Sequence, residues 1–210
     1  MKYFNLSCFF LILIFLNCSC TRDEASLSLF LGPQEGYKTT LRDPDDGSMV
    51  EMIGISSGTN SLKIKNYTKI PDYVPRPPGE PKFIENNYIL QVIGDKLLQI
   101  SNWGETILLK KPLTPNKSKW KIQGKNSSEG DIIYNCKISG RETRNIADQE
   151  RLVIITECTY RGKDFIDTWQ NVYAERLGLV EFSIRYQSLN GEYQAVGKLY
   201  FESLDKVNNK

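Results

Sequence analysis

Gly54-Ile55-Ser56-Ser57-Gly58 has the Gly-x-Ser-x-Gly spacing of a nucleophile elbow, in which a serine stands on a tight strand-to-helix turn and a histidine elsewhere takes its proton. The chain contains no histidine. That absence removes the usual base at neutral pH, the commonest zinc ligand and the Ser-His and Cys-His nucleophile pairs. Thr59 to Tyr67 reads as extended rather than helical, so the segment reads as a Gly/Ser-rich turn. Ser118-Lys119-Trp120-Lys121 matches the Ser-x-x-Lys spacing in which a lysine helps to deprotonate a serine, but the companion Ser-Asp-Asn and Lys-Thr-Gly motifs are missing. Asp43-Pro44-Asp45-Asp46-Gly47 lacks the alternating ligands and distal Glu of a calcium loop and reads as an acidic turn entering a strand at Met49 to Ser56. Two carboxylate pairs, Asp164 with Asp167 and Glu175 with Glu181, are the remaining acid-base candidates. Charged strand residues are ordinarily solvated, and no phosphate-cradling glycine loop or dinucleotide fingerprint is present. The sequence therefore predicts no catalytic residue, no metal ligand and no cofactor: a non-enzymatic protein.

The elements that would carry any site begin with an address. After Met1 and Lys2, the segment Cys8 to Leu16 is an unbroken apolar run that closes on small and polar residues, as in a secretory signal. It is far shorter than the ~20 residues a membrane-spanning helix needs. Phe15-Leu16-Asn17-Cys18-Ser19-Cys20 resembles the lipobox of bacterial lipoproteins, whose cysteine takes the lipid. Cys18 follows the apolar run at the expected distance. Cys20 is preceded by Ser19, and its use would leave Cys136 and Cys158 as an even pair. Both remain candidates. The expected organisation is a signal over 1–19, a flexible tether over 20–41 and one β domain over 42–205, with a proline-rich connector at 71–81. The expected location is the bacterial envelope, lipid-anchored outside the cytoplasm and in the outer membrane.

Lys+Arg 27 against Asp+Glu 25 leaves no whole-chain field to gather nucleic acid or an acidic membrane surface. Lysines collect at Lys110, Lys111, Lys117, Lys119, Lys121 and Lys125 around Trp120, which reads as a solvated strand face and loop.

Beyond the connector the chain reads as strand after strand. Tyr88 to Ile93, Lys96 to Ile100 and Thr106 to Leu109 are short β-prone runs separated by Gly94-Asp95 and by Asn102-Trp103-Gly104, which are hairpin signals. Asp131 to Ile138 and Leu152 to Tyr160 flank a polar loop from Gly140 to Arg151; folding it about its middle brings Cys136 beside Cys158, and a disulfide is expected there. Phe165 to Ala174, Leu179 to Tyr186 and Tyr193 to Phe201 follow, the last two joined through Asn190-Gly191. No sustained helical period occurs. The predicted fold class is mainly β: a single antiparallel meander of eight to ten strands, curled like a half-barrel.

Lys111-Pro112-Leu113, Trp120, the strand bearing Cys158, and Tyr173-Ala174-Glu175-Arg176-Leu177-Gly178-Leu179-Val180 together resemble a pattern of uncharacterised bacterial lipoproteins, over about Tyr88 to Phe201. Members of that group usually carry a glycine where Leu177 or a neighbour stands. The resemblance implies a curved antiparallel sheet and no activity. Two functions follow as expectations. The first is an anchored scaffold that meets the membrane through its lipid and binds an unknown envelope or extracellular protein. The alternative is a carrier holding an apolar ligand or lipid on a concave face, for which Ile89, Leu98, Ile107, Val153, Trp169 and Tyr173 are the candidate rows.

Overall fold

The computed structural model describes residues 25–69, 83–102, 104–126, 130–191 and 194–207. The signal segment, both candidate lipidation cysteines (Cys18 and Cys20) and the connector at 71–81 lie outside the described residues.

Alternation drives the chain into strands. In the stretch from Gly130, the side chains of Ile132, Tyr134, Cys136 and Ile138 are buried while Asp131, Ile133 and Asn135 are exposed, a period of two that a half-buried strand satisfies and a helix does not. Among the described residues twelve strands result: β1 (Tyr37–Arg42), β2 (Met49–Gly58), β3 (Ser61–Lys69), β4 (Phe83–Ile93), β5 (Lys96–Ser101), β6 (Gly104–Lys110), β7 (Lys119–Asn126), β8 (Gly130–Ile146), β9 (Gln149–Arg161), β10 (Phe165–Ala174), β11 (Gly178–Ser188) and β12 (Gln194–Lys206). They form one sheet in the order β6-β5-β4-β3-β2-β1-β12-β11-β10-β9-β8-β7. Every pairing is antiparallel, including that of β1 with β12. The sheet curls into a nearly closed barrel, so the predicted curled antiparallel sheet is observed. It consists of two six-stranded meanders joined by their outermost chain segments.

The single seam falls between β6 and β7, which follow each other in sequence yet share no ladder. Trp120 on β7 spans it: its Nε1 donates to the Ile107 carbonyl on β6 at 3.0 Å, and its ring is buried. The lysine-rich stretch thus supplies a closing contact at Trp120, while Lys117, Lys119 and Lys121 face solvent as expected.

The stretch expected as a tether is, from Ala25 onward, part of the fold. A 3-10 turn over Leu27–Phe30 buries Leu27 and Phe30 completely, and Tyr37–Arg42 is β1. Gly32-Pro33 and Gly36 break periodicity there because the segment crosses the barrel end, not because it is loose. Leu27 and Phe30 belong to the main core cluster, which draws on both meanders (Leu62, Ile64 and Leu90 from one, Ile154, Cys158 and Tyr173 from the other). The crossing closes the end of the barrel that carries the β2–β3, β4–β5, β8–β9 and β10–β11 turns. Backbone contacts fix it: Arg176 N donates to Leu29 O at 2.6 Å and Gly36 N to Gly54 O at 2.9 Å. Two glycines make room. A Cβ on Gly178, whose φ is +74, would sit 2.4 Å from Gly32 Cα, and one on Gly54 would sit 2.5 Å from the Gln34 carbonyl oxygen.

The polar segment from Gly140 to Arg151 is strand rather than loop. β8 runs on to Ile146, β9 begins at Gln149, and the turn is only Ala147-Asp148, both at positive φ (52° and 57°). This tip curls over the outside of the sheet. Arg144 on β8 reaches Glu181 on β11 at 2.8 Å, with β9 and β10 lying between those strands in the sheet order. Ile146 and Ile155 thereby cover an outward-facing apolar cluster of Val153, Val172, Ala174, Leu177 and Val180. Charged residues dominate the segment because they form the outer surface of this second layer.

Cys136 and Cys158 stand opposite each other on β8 and β9 and are disulfide-bonded, with Cα atoms 4.0 Å apart. So close an approach belongs to the non-hydrogen-bonded kind of antiparallel pair.

Candidate functional site

None of the motifs with catalytic spacing assembles a catalytic site. Gly54 to Gly58 lies within β2, with a bulge between Gly54 and Ser56, so it is strand where a turn was expected. Its glycine serves the close passage of Gln34, and Ser57 Oγ donates to Glu35 Oε2 at 2.9 Å. Ser118 is buried at the start of β7, where its hydroxyl donates to the Lys111 carbonyl. The Asp43 turn is held by its own carboxylates: Asp45 N donates to Asp43 Oδ1 at 2.8 Å, and Lys198 N donates to Asp43 Oδ2 at 3.3 Å. The proposed acid pairs separate. Asp164 is exposed at a turn, whereas Asp167 faces inward and accepts a 2.7 Å hydrogen bond from Tyr134 OH. Glu181 pairs with Arg144, and Glu175 lies 3.9 Å from Arg176. Among the described residues, no three His, Cys, Asp or Glu side chains are grouped to hold a metal ion.

What the fold does build is an interior space. A cavity of about 350 Å³ lies inside the barrel, walled by both meanders: Ile64, Leu90 and Ile107 on one side, Trp169, Tyr173 and Phe182 on the other. Small-molecule sites commonly fall between 300 and 1,000 Å³. The 3-10 turn floors it through Phe30. Ile107, Trp169 and Tyr173 of the expected rows line the cavity. The other three do not. Ile89 alternates outward and is 41% exposed, Val153 belongs to the outer cluster, and Leu98 pairs with Gln91 on the face opposite Leu97 and Gln99. Tyr88, Leu90 and Leu97 take the inward positions instead. One strand of alternation fixes which residues share a face, but the sequence carries no mark of which face is inside when both are mixed, and a bulge reverses the count.

A second space of about 390 Å³ adjoins the first, with Met52, Tyr88, Gln99 and Leu179 common to both linings. It lies toward the end of the barrel opposite the 3-10 turn, among the end of β3, the beginning of β4 and the end of β5. Its lining is polar: Asn66, Asn86, Asn87, Asn102 and Glu85 join Gln99. Asn86, Asn87 and Asn102 are exposed, so this outer chamber communicates with solvent. Glu85 is held by Lys65 at 3.2 Å. The inner chamber has no charged residue in its lining.

The tyrosines of the interior stay protonated through the neutral range. Burial pushes the Tyr88 and Tyr173 hydroxyls well above the ordinary tyrosine range, and burial together with Asp167 does the same to Tyr134. Tyr134 packs at a tilt against Trp169 with ring centroids 4.2 Å apart, the start of an inward aromatic row through Tyr160 and Phe165. Trp169 Nε1 and Asn66 Oδ1 are shielded from solvent without a partner. Each such group costs ~1–3 kcal/mol, so the walls around these chambers are not arranged for self-satisfaction alone. The amide-lined chamber was not foreseen from sequence. Asn66, Asn86 and Asn102 come from three strand ends, and only the pairing of β3 with β4 and β4 with β5 collects them.

No protein-family model matches the chain, and no curated protein matches it. Two solved structures share its fold. One is a candidate lipoprotein from Parabacteroides distasonis, 12% identical, with a TM-score of 0.51 over 84% of this chain and 99% of that one. The other is a candidate exported protein from Bacteroides fragilis, described as having a YmcC-like fold, 10% identical, with a TM-score of 0.52 over 85% of this chain and 99% of that one.

Proposed function

We propose that the chain is an exported bacterial envelope lipoprotein, non-enzymatic, that holds an apolar or amphipathic ligand inside its barrel. The observation that carries the binding role is the 350 Å³ interior cavity, apolar over most of its wall and continuous with a polar mouth. At twelve strands the barrel is wider than the eight-stranded kind whose interior side chains just fill, which leaves room for a ligand. The address rests on the signal-like N terminus with Cys18 and Cys20, and the description of both fold neighbours as lipoprotein or exported protein supports it. The missing histidine and the engagement of the candidate carboxylates by Tyr134, Arg144 and Arg176 support a non-catalytic role.

Protein extracted from its native membrane and analysed by native mass spectrometry should carry a small-molecule adduct that organic solvent releases. A bare polypeptide mass in repeated preparations would remove the carrier role. The same spectra, taken beside Cys18→Ala and Cys20→Ala variants, should show a lipid-sized increment that one substitution abolishes.

The scaffold role, with an envelope or extracellular protein as partner, stands second. The observation favouring it is the pair of exposed isoleucines Ile89 and Ile93 on the outer face of β4. Crosslinking in intact envelopes should return one recurrent partner if this surface is used.

A further inference from the structure

We infer that the ligand is a single-chain amphiphile with an uncharged, hydrogen-bonding head group, its tail in the inner chamber and its head among Asn66, Gln99 and Asn102. This rests on the carrier reading above and specifies what is carried. The two adjoining chambers have opposite character. The inner one offers Phe30, Ile64, Ile107, Tyr173 and Phe182, and the outer one offers amides that both donate and accept. A purely apolar molecule long enough to occupy both would strip the amides of water without replacing their hydrogen bonds. A purely polar one would do the reverse to the inner wall. The chambers meet at Met52, Tyr88, Gln99 and Leu179, so a linear molecule can pass from one to the other.

Charge selects the head. The inner lining is uncharged, and the outer one contains a single charged side chain, Glu85, already neutralised by Lys65 at 3.2 Å. An anionic head would meet the Glu85 carboxylate with no cation left for it. A cationic head would have to displace Lys65. Hydroxyl or amide groups match the asparagines without either cost.

Full-length protein, purified in zwitterionic detergent, is mixed with equal amounts of monolauroylglycerol, lauric acid and dodecylammonium, and adducts are counted by native mass spectrometry, with dodecane as a headless control in a separate run. Monolauroylglycerol adducts should exceed those of each charged probe by at least tenfold. Asn66→Leu and, separately, Asn102→Leu should cut that preference severalfold while leaving the dodecane adduct and the circular dichroism spectrum unchanged; Asn102 is exposed at a turn, so its variant folds even if Asn66→Leu does not. Asn171→Trp, which projects bulk into the inner chamber, should abolish every adduct. Equal or stronger binding of a charged probe overturns the head-group assignment while the carrier role stands. Absence of any adduct, dodecane included, overturns the carrier role itself.

Discussion

Asp167 shows how much the interior depends on single hydrogen bonds. Its Oδ2 accepts from Tyr134 OH, and its Oδ1 is sealed without a partner. Tyr134→Phe would remove a hydrogen-bond donor from a carboxylate inside the barrel, and should cost ~1–3 kcal/mol of unfolding free energy in a urea melt. Tyr134→Phe combined with Asp167→Leu should recover much of that loss, because both polar groups are then gone. The tyrosines also set the alkaline limit. Tyr88, Tyr134 and Tyr173 have folded pKa values raised above the ordinary 10.0, chiefly by burial. The folded state therefore holds protons that the unfolded state releases, and the associated stability is complete below pH ~10 and lost as pH rises beyond it. Spectrophotometric titration should show these hydroxyls ionising only with unfolding, at a pH where the exposed tyrosines have already titrated.

At the scale of elements, the tightest constraint is where the N-terminal crossing touches the β10–β11 turn. Gly178→Ala would place a methyl group against Gly32 and force a side chain into positive φ; a loss of roughly 2–3 kcal/mol is expected, with the thermal midpoint as the measure. The β8–β9 turn offers the opposite opportunity. Ala147 and Asp148 both occupy the left-handed region that Asn-Gly prefers in two-residue hairpins. Ala147→Asn with Asp148→Gly should therefore raise stability by about 1 kcal/mol in the same melt. These positions also show what the sequence made legible. Gly94, Gly104 and Gly191 mark turns that alternation brackets, and the strands beside them are where the pattern puts them. Ala147-Asp148 carries no turn signal, so the surrounding strands read as loop. Arg176, at φ 64, occupies a left-handed position beside Leu177, and its backbone N–H donates to Leu29 O. The crossing at Leu27–Phe30 was illegible because four residues cannot display a period, and only burial reveals their role. The chambers were illegible for a further reason: each gathers residues from strands far apart in sequence.

At the scale of the molecule, the disulfide and the seam divide the work of keeping the barrel shut. The Cys136–Cys158 bond closes a loop of 22 residues inside the core cluster. Its reduction should lower unfolding free energy by ~3 kcal/mol, read as a shift of the denaturant midpoint with and without reductant. β6 and β7 lack that support and rely on Trp120 across their seam. Amides of these two strands should exchange with deuterium faster than those of β1 and β12, which are paired on both sides.

The placement of the chain's entrance has a bearing on direction. Ala25 enters at the floored end of the barrel, and the asparagine-lined mouth is at the other. With lipid on Cys18 or Cys20, at most six residues stand between the anchor and Ala25, a reach of no more than about 25 Å even when fully stretched. On the proposed anchor, a leash that short would keep the floored end toward the bilayer and turn the mouth outward. Cargo of the proposed carrier would then be exchanged with whatever faces the protein from the far side, an opposing layer or a docked acceptor, and not with the lipids beneath its own feet.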